Sequence, residues 1–422
     1  MINYNQINDI LKENIIMALG CTEPVAVALS VAKAKEILGK KVNRVVLKLS
    51  GNVIKNAMGV GIPSTDMIGL PIAVALSVVG GESYKELQVL DNASSNLVEA
   101  KNWLSNHKVD IQLKETSEKL YIEAICFNED EQYFSRAIIK YSHTNFIFLE
   151  NNEGIILDKN NDSELSEENN DEKLMSLTTD IVYNFAKTAN LDDIRWLLDA
   201  AKTNLIASEE GLKGTYGLKA GYLILKDEGN SLRQRIIAKT VAASDARMSG
   251  AKAAVYSNFG SGNQGITCSL PVLLFAKEIN ASEEETIRGL TLSNLMSIYI
   301  KSHIGRLSAL CGIVNASIGV ASSIVFLQKG TLNQIRFAIN NMINTITGMI
   351  CDGAKPSCAL KISAGLNSAF DSALLALNNI CVDKTDGIAS PDADKSILTL
   401  GEIGRNYMNE TDKAILHIMV NK

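Results

Sequence analysis

Residues 108–157 read KVDIQLKETSEKLYIEAICFNEDEQYFSRAIIKYSHTNFIFLENNEGIIL, and this stretch decides the fold class. Apolar side chains recur with a period of two in Val109–Leu113, Leu120–Phe127, Arg136–Tyr141 and Asn145–Leu149, and polar turns separate these segments. Alternation of that kind predicts an antiparallel sheet. Upstream, Ile7, Ile10, Leu11, Ile15 and Leu19 fall at helix spacing and a break follows at Gly20-Cys21-Thr22-Glu23-Pro24. Pro24 fits only the first turn of a new helix, which runs towards Ile37. Val42–Leu49 alternates as a strand and Ser50-Gly51-Asn52 reads as a turn. Gly59, Gly61, Pro63, Ser64 and Thr65 then lead into an apolar helix ending at Gly80-Gly81. Downstream, Asp158–Glu172 is a polar run read as a solvated hinge, and beyond Leu174 helical patterns rich in Ala, Ser, Met and Gly continue without a persuasive strand. The expectation is an α+β protein in two domains. Residues 1–172 form a smaller α+β domain with an antiparallel sheet, its N-terminal helical segment free to pack on the rest, and residues 173–422 form a large all-helical domain.

Composition narrows the partners. Lys plus Arg number 41 against 47 Asp plus Glu, a net charge of −6 with no basic run, so nucleic acid is excluded as a partner. The 46% of apolar residues suffices for a large core. Met1–Glu13 carries Asp9 and Glu13 and no basic segment ahead of an apolar one, which predicts no signal peptide and a cytoplasmic location. Leu307–Gln328 contains no charged residue and is long enough to cross about 30 Å of hydrocarbon. Its Ser308, Asn315, Ser317, Ser322 and Ser323 argue instead for a buried central helix, so no membrane association is expected.

Seven cysteines in a cytoplasmic chain are expected to stay reduced. Cys351 and Cys358 flank Asp-Gly-Ala-Lys-Pro-Ser, where Gly353 and Pro356 break a helix, and a loop folded back there could aim two thiolates at one metal with Cys311 arriving from a neighbouring helix. The alternative is three small buried hydrophobes. No fourth ligand is evident; His303 precedes Cys311 by about two helical turns and reads as a surface or substrate-proximal group. Cys268 is the rival for a place in such a site, while Cys126 and Cys381 read as packing residues. Cys21 precedes a helix start, where orphan N–H groups favour a thiolate; it reads as a base or nucleophile, or as part of a cap. Glu23 is open to the same two readings, a functional group or an acid that stabilises the helix start through the dipole without any catalytic role. Ser261-Gly262-Asn263-Gln264-Gly265, like Ser50, Asn52, Ser64 and Thr65, offers a loop that could hold a small carboxylate, and turn chemistry explains each as well. None of these loops matches a nucleotide-binding pattern.

Taken together, Gly20-Cys21-Thr22-Glu23-Pro24, Ser261–Gly265 and Cys351–Cys358 resemble the L-cysteine desulfidase family, which is related to the alpha chain of iron-sulfur L-serine dehydratases. The resemblance implies a 4Fe-4S cluster in the helical domain, held by Cys311, Cys351 and Cys358, with Cys21 as the active-site base and Cys268 as a bystander. It implies β-elimination of L-cysteine to pyruvate, ammonia and sulfide without pyridoxal phosphate, the open iron acting as a Lewis acid. The helix-start loops bearing Ser50, Asn52, Ser64, Thr65, Ser261 and Asn263 would hold the substrate carboxylate. An L-serine dehydratase is the nearest alternative, and a non-catalytic iron-sulfur sensor or storage protein is an alternative of another class. A homo-oligomer is compatible with all three.

Overall fold

The computed structural model describes residues 2–160, 173–227 and 231–421. Most of the hinge expected at Asp158–Glu172, including the domain boundary placed in it, lies outside the described residues. The chain opens with helix α1 (Tyr4–Asn14), started by an Asn3–Gln6 capping box, and passes through a short strand β1 (Met17–Leu19) into helix α2 (Thr22–Leu38). Strand β2 (Arg44–Leu49) leads directly into α3 (Gly51–Ala57), and α4 (Leu70–Gly80) and α5 (Ala93–Asn106) follow. Ser50-Gly51-Asn52 is therefore a helix start and not a turn.

Strands β3 (Lys108–Leu113), β4 (Tyr121–Phe127), β5 (Phe134–Lys140), β6 (Phe146–Asn151) and β7 (Gly154–Asp158) complete one six-stranded sheet in the order β3-β2-β4-β5-β6-β7. Every pairing is antiparallel except β2 with β3, which run parallel because α3, α4 and α5 cross between them. Helix α2 lies across β4 and β5 and beside α4. Nearly all its side chains are buried, as a helix apolar on every face requires.

From Thr179 onward the chain is helical, as expected, with one exception. The helices are α6 (Thr179–Thr188), α7 (Leu191–Ile194), α8 (Trp196–Gly211), α9 (Ala220–Lys226) and α10 (Leu232–Met248). Strand β8 (Ala254–Tyr256) pairs antiparallel with β1, a strand that the sequence reading missed. Two three-residue strands leave no alternation to detect. There follow α11 (Gly262–Glu278), α12 (Glu283–Ile304), α13 (Gly312–Leu327), α14 (Leu332–Ile346), α15 (Cys358–Leu377), α16 (Ala393–Glu402) and α17 (Asn409–Val420).

Two large apolar cores result. One is built on the sheet with α2 and α4; the other fills the helical body and takes in Ile7, Ile10 and Leu11 of α1. The centre of the helical body is α13, the stretch without charges, and two of its three serines are absorbed there: Ser323 donates to Gly289 O and Ser322 to Ile318 O, while the buried Ser317 hydroxyl has no partner. No helix among the described residues is long and apolar enough to cross a membrane. Helices α12 and α13 touch backbone to backbone at Gly319, where a Cβ would stand 2.4 Å from Ser293 O. Gly319→Ala should therefore lower the stability of the folded chain by about 1–3 kcal/mol, read as a fall in the thermal midpoint by circular dichroism, whereas Ser317→Ala on the same helix should do less.

Candidate functional site

One cavity of about 100 Å³ lies where the two cores meet. Its wall is drawn from the start of α2 (Cys21–Glu23), Asn56 of α3, His143 in the turn between β5 and β6, Arg247 near the end of α10, the Phe259–Gln264 segment, Lys301 of α12, the Arg306–Ile313 link, and the loop carrying Cys351, Gly353, Ala354 and Cys358.

Backbone pairing brings the thiols together. Leu310 and Ile350 form an antiparallel bridge; Cys311 N–H donates to Met349 O at 3.0 Å and Cys351 N–H donates to Ala309 O at 2.6 Å. Cys311 thus sits as the N-cap of α13 beside the loop, and Cys358 begins α15 with its Sγ 3.6 Å from Gly353 O. The loop is braced from outside. Asp352 is shared between Lys355 and Lys361; burial opposes its charge, but these two lysines hold its carboxyl down at about 2. Lys361 also donates to Ile350 O at 2.8 Å. Gly353, with φ +90°, abuts Lys55 O, where a Cβ would come within 2.3 Å, and buried Lys55 reaches the Cys351 carbonyl at 3.3 Å while pairing with Asp412 of α17. Burial, and then the neighbouring Cys351, pushes the Cys311 thiol up to about 12; burial likewise raises Cys358.

Among the described residues no three His, Cys, Asp or Glu side chains close on a single metal ion. Cys311, Cys351 and Cys358 line one cavity, a set of three sulfur donors whose chemistry suits an iron-sulfur cluster. Cys268 is fully buried in α11 and lies outside the cavity wall, as do Cys126 and Cys381. His303 is also outside the wall, its ring edge-on to Tyr299.

The start of α2 places Cys21 in a more buried setting than a plain helix N-terminus. Cys21 is the N-cap residue, but its side chain makes no cap; Sγ donates to Glu23 Oε2 at 3.4 Å. Burial, followed by the negative charge of Glu23, pushes this thiol up to about 12, so it is held protonated despite the helix dipole. Glu23, 7% exposed, also accepts from Asn56 Nδ2 at 2.9 Å. Burial opposes its ionisation, yet the charge of His143 and the hydrogen bonds from its own backbone, Asn56 and Cys21 hold the carboxyl below its ordinary range. His143 is equally buried; its Nε2 has no partner, and burial together with the Arg306 guanidinium keeps it below the usual imidazole range. At neutral pH the pair is a carboxylate beside an uncharged imidazole.

Cations surround the remaining space. Arg247 is fixed by Gly20 O at 3.0 Å and Asn263 Oδ1 at 3.2 Å, Arg306 lies over the Phe259 ring at 4.6 Å, and burial pushes Lys301 down to about 8. Of the residues expected to hold a carboxylate, Ser261 and Asn263 line the cavity and the other four do not. Ser50 donates to Lys119 O at 2.8 Å, Thr65 donates to Ile62 O at 2.8 Å, Ser64 occupies a left-handed turn with φ +61°, and Asn52 binds Asp412. Ser50 and Asn52 line a separate surface cleft.

The family model for the serine dehydratase alpha chain matches residues 85–417. The chain belongs to the serine dehydratase alpha-chain family. The match takes in His143, Arg247, Lys301 and the three clustered thiols and leaves out Cys21 and Glu23. Relatives that align along their full length carry the name UPF0597 protein: one from Bacteroides thetaiotaomicron is 47% identical over 99% of this chain and 98% of its own, one from Porphyromonas gingivalis is 45% identical over 99% and 98%, and one from Clostridium perfringens is 42% identical over 98% and 97%.

His143, Arg247, Lys301 and Asn56 were not singled out from the sequence. A detectable signal existed for one of them: Lys301 follows the uncharged helical run 289–300, where a charge needs a reason. Glu23→Gln should lower the Cys21 pKa from about 12, because it removes the charge that disfavours the thiolate while burial stays. Alkylation of the Cys21 peptide, followed by mass spectrometry, should then begin at lower pH than in the unaltered protein. An unshifted profile would remove Glu23 from the account.

Proposed function

We propose that this member of the serine dehydratase alpha-chain family is a lyase that eliminates the β-substituent of a small α-amino acid, with L-cysteine as substrate giving pyruvate, ammonia and sulfide. The observation that carries this reading is the meeting of Cys311, Cys351 and Cys358 with a buried Glu23–His143 pair in one cavity. Cys311, Cys351 and Cys358 would hold a 4Fe-4S cluster, exchanging their protons for iron. When bound, such a cluster supplies Lewis acidity to the leaving sulfur through the iron that lacks a protein ligand.

The chain's own groups divide the remaining work. His143, uncharged and with Nε2 free of any partner in the fold, is the group suited to take the Cα proton. Cys21 is less suited: burial and the Glu23 charge favour its protonated thiol, so it serves as a donor that holds Glu23 in place. The Glu23 carboxylate stabilises the imidazolium formed when His143 is protonated. Loss of sulfide leaves 2-aminoacrylate, which tautomerises and takes up water to give pyruvate and ammonia.

L-serine is the competing substrate, favoured by the family's description, and elimination would then release water. Anaerobically reconstituted protein should form pyruvate and sulfide from L-cysteine without added pyridoxal phosphate, faster than it forms pyruvate from L-serine. Faster turnover of serine would reassign the substrate, and sulfide release by cluster-free protein would overturn the mechanism. His143→Asn should lower kcat about 10²- to 10⁴-fold while iron content stays unchanged.

A further inference from the structure

Lys301 stands in the last turn of α12, only 5% exposed, and lines the cavity; its backbone carbonyl accepts from Gly305 N–H, but its Nζ makes no hydrogen bond or ion pair to any described residue. The other cations there are engaged: Arg247 on Gly20 and Asn263, Arg306 over the Phe259 ring. Taking an ammonium out of water without an anion beside it is strongly unfavourable, so a chain that does this leaves room for an anion from outside. The fold supplies none. Glu23 is satisfied by Asn56 and Cys21, and Asp352 is held between Lys355 and Lys361. The thiols of Cys311 and Cys351 are the nearest groups that could carry negative charge, but iron bound between them would cancel most of it.

We infer that Lys301 binds the carboxylate of the substrate, so that the site selects small α-amino acids over the corresponding amines. This rests on the lyase reading for the identity of the ligand, not for the existence of the anion site. A carboxylate on the Nζ of Lys301 would also sit near Cys311 and Cys351, where the β-substituent must reach the cluster, so one residue would set both charge selectivity and the reach of the leaving group. Two residues named from the sequence, Ser261 and Asn263, contribute a hydroxyl and an amide to the same cavity from one helix start, whereas the full charge comes from Lys301 of α12.

The test uses ligands that cannot eliminate. Calorimetric titration with L-alanine and with ethylamine, on protein before and after anaerobic reconstitution, compares ligands that differ in the carboxylate. The unaltered protein should bind L-alanine at least tenfold more tightly than ethylamine. Lys301→Met should abolish that preference by weakening L-alanine about 10- to 100-fold, with ethylamine and iron content unchanged, and Lys301→Arg should retain most of it. Unaltered preference in Lys301→Met would overturn the inference, as would loss of iron in both variants, which would make Lys301 a partner of the thiolates. If the carboxylate preference depends on Lys301 but neither cysteine nor serine is turned over, the anion site stands and the lyase reading falls.

Discussion

Cys311 donates its backbone N–H to Met349 and Cys351 donates its own to Ala309, and these two hydrogen bonds lock the start of one helix to a loop that follows a different helix. No local propensity brings those segments together. The bridge works because α13 is buried along almost its whole length and cannot shift, so its N-terminus is a fixed point against which the loop is registered. Asp352, Lys355 and Lys361 then set the course of the loop to Cys358, and Lys55 of the sheet-bearing part closes over Cys351 and Gly353. The thiol site therefore depends on contacts between the helical body and α3, and through Asp412 on the C-terminal helix α17.

The second constraint is charge in a dry place. Glu23, His143, Arg247, Lys301 and three thiols share the wall of one cavity and are buried or half-buried there, so each must be neutral, paired or waiting for a ligand. The fold answers differently for each: Glu23 collects donors, burial holds Cys311 and Cys358 towards the protonated thiol, Arg247 takes a carbonyl and an amide, and Lys301 is left open. Such an arrangement is costly for stability and useful for binding a polar substrate, as expected of a site and not of a core.

Much of the architecture was legible because it rests on periodicity. The alternation in residues 108–157 gave four strands close to their observed bounds, and the charge-free run at 307–328 was recognisable as a central helix. The misreadings came where a local rule has two outcomes. Ser50-Gly51-Asn52 can make a turn or start a helix, and it starts α3; at Cys21 the helix N-terminus favours a thiolate, while burial and Glu23, both invisible in a linear sequence, favour the thiol. Of the residues assigned to the carboxylate, Ser50 donates to Lys119 O, Thr65 to Ile62 O and Asn52 to Asp412, while Ser64 takes a left-handed turn away from the cavity wall. The three thiols were found by motif, while His143, which arrives on a hairpin from the sheet, could not be placed beside them without the fold.

Whether these thiols carry the cluster is the claim on which the chemistry depends. Iron and acid-labile sulfide, measured after anaerobic reconstitution of Cys311→Ser, Cys351→Ser, Cys358→Ser and Cys268→Ser proteins, tests it most directly. The account predicts full loading in the unaltered and Cys268→Ser proteins and marked loss in the other three. Full loading of Cys358→Ser, or loss confined to Cys268→Ser, would contradict it.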